Sequence, residues 1–204
     1  MIIFDFDGVL LNSFDTLYKI NKKSASGVGI TLSKKDYKNF FKGNIHKTRS
    51  RIFKGDLEKS RKFGEARENL YNRYYNSENV KLFEFAPFLI KRLSKKTKVY
   101  IVSSSPKEFI EDILEKNGLK SYFNGITGTN IEGKRKTIQN YLEQAEDSGD
   151  SYFITDTVGD IKEVKGLDIK VVAVGWGFHS LKTLLKPGPD YAAYNYDDLE
   201  KILV

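Results

Sequence analysis

Cysteine is absent from the 204 residues, which removes disulfide frameworks, thiolate metal sites and cysteine nucleophiles at once. Histidine occurs only as His46 and His179, so zinc, which draws on Cys and His, is a poor fit. Four prolines in a chain 40% hydrophobic and 30% charged fit a folded globular protein, not a disordered or fibrous one. No apolar run approaches the roughly 18 residues that span a bilayer. The first residues, an apolar stretch carrying two aspartates, do not resemble a charged-then-apolar leader. A cytoplasmic protein with no membrane contact is therefore expected. The length suffices for a full α/β core with a small accessory domain.

What charge there is lies unevenly. Residues 13–81 hold 17 Lys/Arg against 7 Asp/Glu, and the remainder holds 17 against 20. A basic segment beside a mildly acidic body attracts anionic substrates, although a lysine-rich surface chosen for solubility would look the same. A nucleic-acid partner is not expected, but the basic segment is compatible with one, and salt-sensitive oligonucleotide binding would reveal it.

Short β-branched and aromatic runs predict strands at residues 1–6 (MIIFDF), 98–103 (KVYIVS), 122–127 (YFNGIT), 151–155 (SYFIT) and 169–174 (IKVVAV), all apolar enough to be buried on both faces. Between them, Phe109, Ile110, Ile113 and Leu114 recur at helical spacing over 107–117 before Asn117-Gly118, a helix stop. A second helix is predicted over 135–146, with Ile138, Tyr141, Leu142 and Ala145 on one face. Strands alternating with helices imply a doubly wound, Rossmann-like parallel sheet. Residues 14–83 break the alternation and read as helices. The expected organisation is an α/β core of residues 1–13 and 84–204, with a helical cap domain of residues 14–83 inserted.

Polar features follow the proposed strands: Asp5 and Asp7 after the first, Ser103 and Ser104 after the second, Lys134 at a helix start, and Asp156 with Asp160 after the fourth. In a parallel sheet these converge on one edge, where ligands bind. Carboxylates with a lysine and a hydroxyl suit a hard cation such as magnesium together with a phosphate. Asp5 and Asp7, two apart, face one side if the strand runs through them, and Gly8 permits a sharp turn. Taken singly, each has an ordinary alternative: a turn aspartate, a helix-capping serine, or acidic residues at a helix N-terminus.

Together they resemble a known family. DFDGVL at 5–10, IVSSSP at 101–106, the lysine of EGKRKTI at 132–138 and FITDTVGDI at 153–161 are similar to the four motifs of the haloacid dehalogenase-like hydrolases. The resemblance is to the phosphatase, phosphoglycolate phosphatase-like subgroup with a small helical cap. It implies that Asp5 attacks phosphorus and becomes an aspartyl-phosphate, and that Asp7 acts as general acid and base. Mg2+ is implied at Asp5, the Asp7 carbonyl and Asp156. Asp160 would orient a metal-bound water or the lysine, and Ser103 and Lys134 would hold phosphoryl oxygens. Lys136 is an alternative to Lys134. In FFKGNIHK, the residues Lys42, Gly43 and His46 resemble the family's substrate-contacting cap loop.

The resemblance implies hydrolysis of a small phosphorylated metabolite. Asp7 favours phosphoryl transfer over dehalogenation, because an oxygen leaving group needs a proton. A phosphosugar mutase, a phosphatase acting on nucleotide or nucleic-acid phosphate, and a non-catalytic phosphate-binding module are the competing readings. Residues 128–135 match the P-loop pattern GxxxxGK, but Arg135 stands where Ser or Thr should hold magnesium. The cluster of Tyr71, Arg73, Tyr74 and Tyr75 could stack on a base, although helix packing is the plainer use.

Overall fold

The computed structural model describes residues 1–43, 45–129, 133–145 and 149–204, with 46 and 47 described in backbone only. Strand β1 (Ile2–Phe4) places Ile2 and Phe4 in one apolar cluster and Ile3 in another. Alternation with period two thus puts core on both faces of the sheet, which is why the strand has no polar residue. The chain continues through β2 (Leu11–Asn12) into four helices, α1 (Phe14–Ser26), α2 (Lys34–Asn39), α3 (Ile45–Ser50) and α4 (Leu57–Tyr74). It returns through β3 (Lys81–Leu82) to α5 (Ala86–Leu93), β4 (Val99–Val102), α6 (Lys107–Lys116), β5 (Gly125–Thr127) and α7 (Gly133–Glu143). The rest comprises β6 (Tyr152–Thr155), α8 (Val158–Glu163), β7 (Lys170–Val174), α9 (Leu181–Leu184), β8 (Tyr191–Ala193) and α10 (Tyr196–Leu203).

Six strands form one parallel sheet in the order β5-β4-β1-β6-β7-β8. Phe4 lies beside Ile101 of β4 and Ile154 of β6, so the loops after β4, β1 and β6 emerge side by side. Connections run outward from β1 in both directions, which makes this edge the switch point where doubly wound sheets bind ligands.

The α/β expectation is met, with adjustments. The first strand stops at Phe4, and the backbone turns through Gly8 at φ +76°, a conformation open to glycine. Strand β5 begins only at Gly125, because residues 120–122 form a 3-10 turn. β8 and α10 are additional, as are the two-residue strands β2 and β3. Those pair antiparallel, Leu11 opposite Leu82 and Asn12 opposite Lys81, and tie together the two connections to the inserted helices. The helix expected at 135–146 spans Gly133–Glu143, and residue 146 lies outside the described residues.

The inserted helices share their apolar cluster with the sheet: Leu17, Tyr37, Phe40 and Phe63 belong to the same cluster as Phe4 and Val174. Phe178, on the loop after β7, meets the rings of Phe14 at 5.1 Å and Phe41 at 4.8 Å, both edge-on. His179 beside it accepts from the Val158 amide at Nδ1 (3.2 Å) and donates from Nε2 to the Lys38 carbonyl (2.9 Å). Among the described residues no helix is long and apolar enough to cross a membrane.

Candidate active site

Asp5 follows β1 directly. Its amide donates to the Ile154 carbonyl at 2.9 Å and its Oδ1 accepts from the Phe6 amide at 2.7 Å, so both backbone and carboxylate are fixed at the strand end. Lys134, in the first turn of α7, sends its ammonium between two carboxylates, 2.8 Å from Asp5 Oδ2 and 2.9 Å from Asp160 Oδ2. Asp160 also accepts from the Thr155 hydroxyl at 2.8 Å. Its position is set by α8, whose first turn is capped by the Thr157 hydroxyl accepting from the Asp160 amide at 3.2 Å.

All three charged groups are buried, and their protonation follows from mutual position. Burial drives the Asp5 carboxyl well above the usual carboxylate range, against the pull of Lys134. Burial would do the same to Asp160, but the Lys134 ammonium and the Thr155 hydroxyl outweigh it and hold that group low. For Lys134 itself, burial is overcome by Asp160 and Asp5 and the pKa is raised. The lysine is thus a permanent cation set against the Asp5 carboxylate.

Asp7 accepts a hydrogen bond at each oxygen: Oδ1 from the Tyr75 hydroxyl, at the end of α4, and Oδ2 from the Ser105 hydroxyl at 2.6 Å. Ser103 is buried, and its Oγ accepts from the Ser105 amide at 3.1 Å. Asp156 is wholly buried beneath this group. Its Oδ2 accepts from the Phe178 amide at 2.6 Å, whereas its Oδ1 has no hydrogen-bond partner among the described residues. A methyl group at Gly8 or Gly177 would collide with that carboxylate, so both glycines are required for the backbone to approach it. Burial pushes the Asp156 carboxyl up to about 7.

A buried, half-satisfied carboxylate calls for a cation. Among the described residues no three acidic or imidazole side chains converge as a ready-made cage. Magnesium needs only one or two carboxylates, its other positions going to water and substrate phosphate.

Asp5, Asp7, Ser103, Ser104, Lys134 and Asp160 line one cavity of about 720 Å³ between the sheet edge and the inserted helices. Gly43 lines it too, with Phe41, and a methyl group at Gly159 of α8 would press on the carbonyls of both. Lys42 is exposed and absent from the lining, and its carbonyl accepts from Lys162 at 3.5 Å. The side chain of His46 lies outside the described residues. Lys136 is exposed, whereas Lys134 reaches the aspartates. Of the P-loop match, residues 130–132 lie outside the described residues, and its lysine binds Asp5 and Asp160.

Four residues in or beside this cavity were not singled out from sequence as site residues: Ser105, Tyr75, Arg49 and Arg67. Tyr75 is buried, its ring 4.6 Å from Tyr71 and 4.4 Å from Phe109, whereas Tyr74 is exposed under Arg73. Packing therefore accounts for the tyrosine cluster, and the Tyr75 hydroxyl adds the bond to Asp7. Arg49 and Arg67 sit on inserted helices, where only the fold shows which face meets the cavity.

The chain matches the model of the haloacid dehalogenase-like hydrolase family over residues 2–174. It is 25% identical over 202 residues to a phosphoglycolate phosphatase of Synechococcus elongatus, covering 97% of this chain and 94% of that protein. To a phosphoglycolate phosphatase of Vibrio cholerae it is 22% identical over 217 residues, covering 100% and 95%. Its fold superposes on a haloacid dehalogenase-like family protein of Streptococcus pneumoniae with a TM-score of 0.82 at 22% identity, covering 98% of this chain and 95% of that one. With its parallel sheet, its aspartates at the end of the central strand and a family match that runs from β1 to β7, the chain belongs to the haloacid dehalogenase-like hydrolases, on the side of the family that resembles phosphatases.

Proposed function

We propose that the protein is a magnesium-dependent phosphomonoesterase that acts on a small phosphorylated metabolite through a phosphorylated Asp5. The observation that carries this reading is the convergence of Asp5, Asp7, Ser103 and Lys134 on one cavity, from the segments that follow the adjacent strands β1, β4 and β5. The names of the curated relatives support it.

Asp5, the Asp7 carbonyl and Asp156 would hold Mg2+, for which the unpartnered Asp156 Oδ1 is the supporting feature. The ion would supply charge neutralisation at the phosphoryl oxygens. The Asp5 carboxylate attacks phosphorus in line and the ester P–O bond breaks. Asp7 gives its proton to the departing oxygen, then takes one from the water that attacks phosphorus, which breaks the bond between phosphorus and the Asp5 oxygen and releases phosphate and the free carboxylate. Lys134 and the Ser103 hydroxyl hold the phosphoryl oxygens, and Asp160 keeps the Lys134 ammonium aimed at them. Residues 14–83 act as a cap over the cavity, and Tyr75 and Ser105 orient Asp7.

The test is phosphate release from an aryl phosphate with and without Mg2+, in wild type and Asp5→Asn. Activity that needs the metal and vanishes in the variant is expected, and activity surviving Asp5→Asn would overturn the mechanism. An isomerised ester in place of free phosphate would move the assignment to a mutase.

A further inference from the structure

The phosphoryl machinery uses Lys134 and Asp160 but leaves two residues beside them, Arg135 and Glu163, without a role. Lys134 stands on α7, which follows β5, and Asp160 on α8, which follows β6, and the sheet order puts β4 and β1 between those strands. Strand pairing therefore does not bring the two helices together directly. Bonds between the helices do. The Arg135 amide, in the first turn of α7, donates to Glu163 Oε1 at 3.2 Å, and Arg135 Nη1 donates to the Glu163 carbonyl at 2.9 Å and the Lys165 carbonyl at 2.7 Å. The first amides and last carbonyls of a helix have no partner inside it. Here Glu163, the last residue of α8, satisfies the start of α7, and Arg135 satisfies the end of α8, an acid at one terminus and a base at the other. Gly133 completes the contact: it opens α7 at φ +83°, and a methyl group on it would lie 2.7 Å from Glu163 Oε1, so a bare glycine is what lets that carboxylate cover the helix start.

We infer that Arg135 and Glu163 are positioning residues for phosphoryl transfer: their reciprocal cap fixes α7 against α8 and so holds the Lys134 ammonium 2.8 Å from Asp5 as well as 2.9 Å from Asp160. The two ion pairs tie down only the tip of a flexible four-carbon stem, and the cap fixes its base. Both residues act through Lys134 and not on the substrate. The inference rests on the phosphomonoesterase reading, in which Lys134 holds phosphoryl oxygens and a displacement of about 1 Å costs up to 100-fold in rate. Arg135, the residue that breaks the P-loop pattern, thereby gains a use of its own.

Two readouts on the full chain test it. One is kcat/KM for an aryl phosphate with Mg2+ in wild type, Glu163→Ala, Glu163→Gln, Arg135→Met and Lys136→Met. The other is the NMR signal of the Lys134 ammonium in metal-free protein labelled with 15N-lysine, assigned by its loss in Lys134→Met. Glu163→Ala and Arg135→Met should each lower kcat/KM by about tenfold, short of the loss for a full 1 Å displacement, and should shift or broaden the Lys134 signal. Glu163→Gln, whose amide oxygen still accepts from the Arg135 amide, should recover most of both. Lys136→Met, which takes the same charge from the same helix, should change kcat/KM by no more than about twofold, as a surface substitution does. Equal losses in Arg135→Met and Lys136→Met, a Gln variant no better than the Ala variant, or a Lys134 signal untouched by Glu163→Ala and Arg135→Met would overturn the inference. If the wild type releases no phosphate, the phosphatase reading falls, and the Lys134 signal by itself decides whether the reciprocal cap positions the lysine.

Discussion

Replacing Lys134 by Met removes the only charge that separates two buried carboxylates. The ammonium lies 2.8 Å from Asp5 and 2.9 Å from Asp160, with the three side chains exposed by only 9%, 6% and 12%. Breaking a buried ion pair by removing one partner costs about 3–5 kcal/mol, because the remaining charge stays desolvated. Here the Asp160 charge is left, held by the Thr155 hydroxyl, beside an Asp5 carboxyl that burial already drives toward its neutral form, so a cost within that range is expected. Lys136, two residues on and exposed, provides the control: Lys136→Met should stay within about 0.5 kcal/mol. A double-mutant cycle sharpens the point. Asp160→Asn in the Lys134→Met background removes the buried charge left without its partner, so the pair should cost less than the sum of its members, with a coupling of about 0.5–3 kcal/mol. Urea unfolding in EDTA at neutral pH measures all five proteins, wild type, the three single variants and the double variant, without metal contributions. Equal costs for the two lysine variants, or strict additivity with Asp160→Asn, would refute the reasoning.

Other consequences are as specific. Asp7→Asn should slow hydrolysis of alkyl phosphates by about 10²–10⁴ and slow aryl phosphates, whose leaving groups need little protonation, far less; equal losses on both would contradict the acid role. Tyr75→Phe, which removes one of the two bonds to Asp7, should reduce the same alkyl rate by roughly tenfold, short of the hundredfold that a misplacement of 1 Å costs. Phe178→Ala should cost about 3–5 kcal/mol in urea unfolding, since it empties the edge-on contacts with Phe14 and Phe41. Burial lowers the His179 pKa, and its neutral ring serves as acceptor for Val158 and donor to Lys38. That contribution is complete above the unfolded value near 6.5 and is lost as pH falls through the depressed folded value. The stability gap between wild type and His179→Gln should therefore narrow from pH 7.5 to about pH 5, and a gap that is flat or widens would show that protonation is irrelevant there.

Much of this architecture was legible because its signals are local. Five- and six-residue runs rich in β-branched and aromatic residues marked five of the six parallel strands, and Asn117-Gly118 closed α6 as expected, with Gly118 at φ +64°. The site aspartates stood out because strand ends converge once the sheet is parallel. β8 escaped because Tyr191–Ala193 is short and mostly solvent-facing, with only Ala193 fully buried. β2 and β3 have two residues each, and their pairing depends on bringing residues 12 and 81 together, which no local pattern encodes. The same limit hid Arg49, Arg67 and Tyr75. α4 buries only Phe63 among its 18 residues, so its periodicity is too weak to show which side chains face the cavity. The basic excess of residues 13–81 was visible, but not that two of those arginines line the same cavity as Asp5 and Asp7.

The central claim, that Asp5 is the nucleophile, is tested most directly by trapping the phosphorylated side chain. Acid quench during turnover of an aryl phosphate with Mg2+, followed by borohydride reduction, converts an aspartyl-phosphate to homoserine. Peptide mass spectrometry should then find homoserine at position 5 and at no other carboxylate. Homoserine at Asp7, Asp156 or Asp160, or an unmodified Asp5 under conditions of steady turnover, would contradict the account.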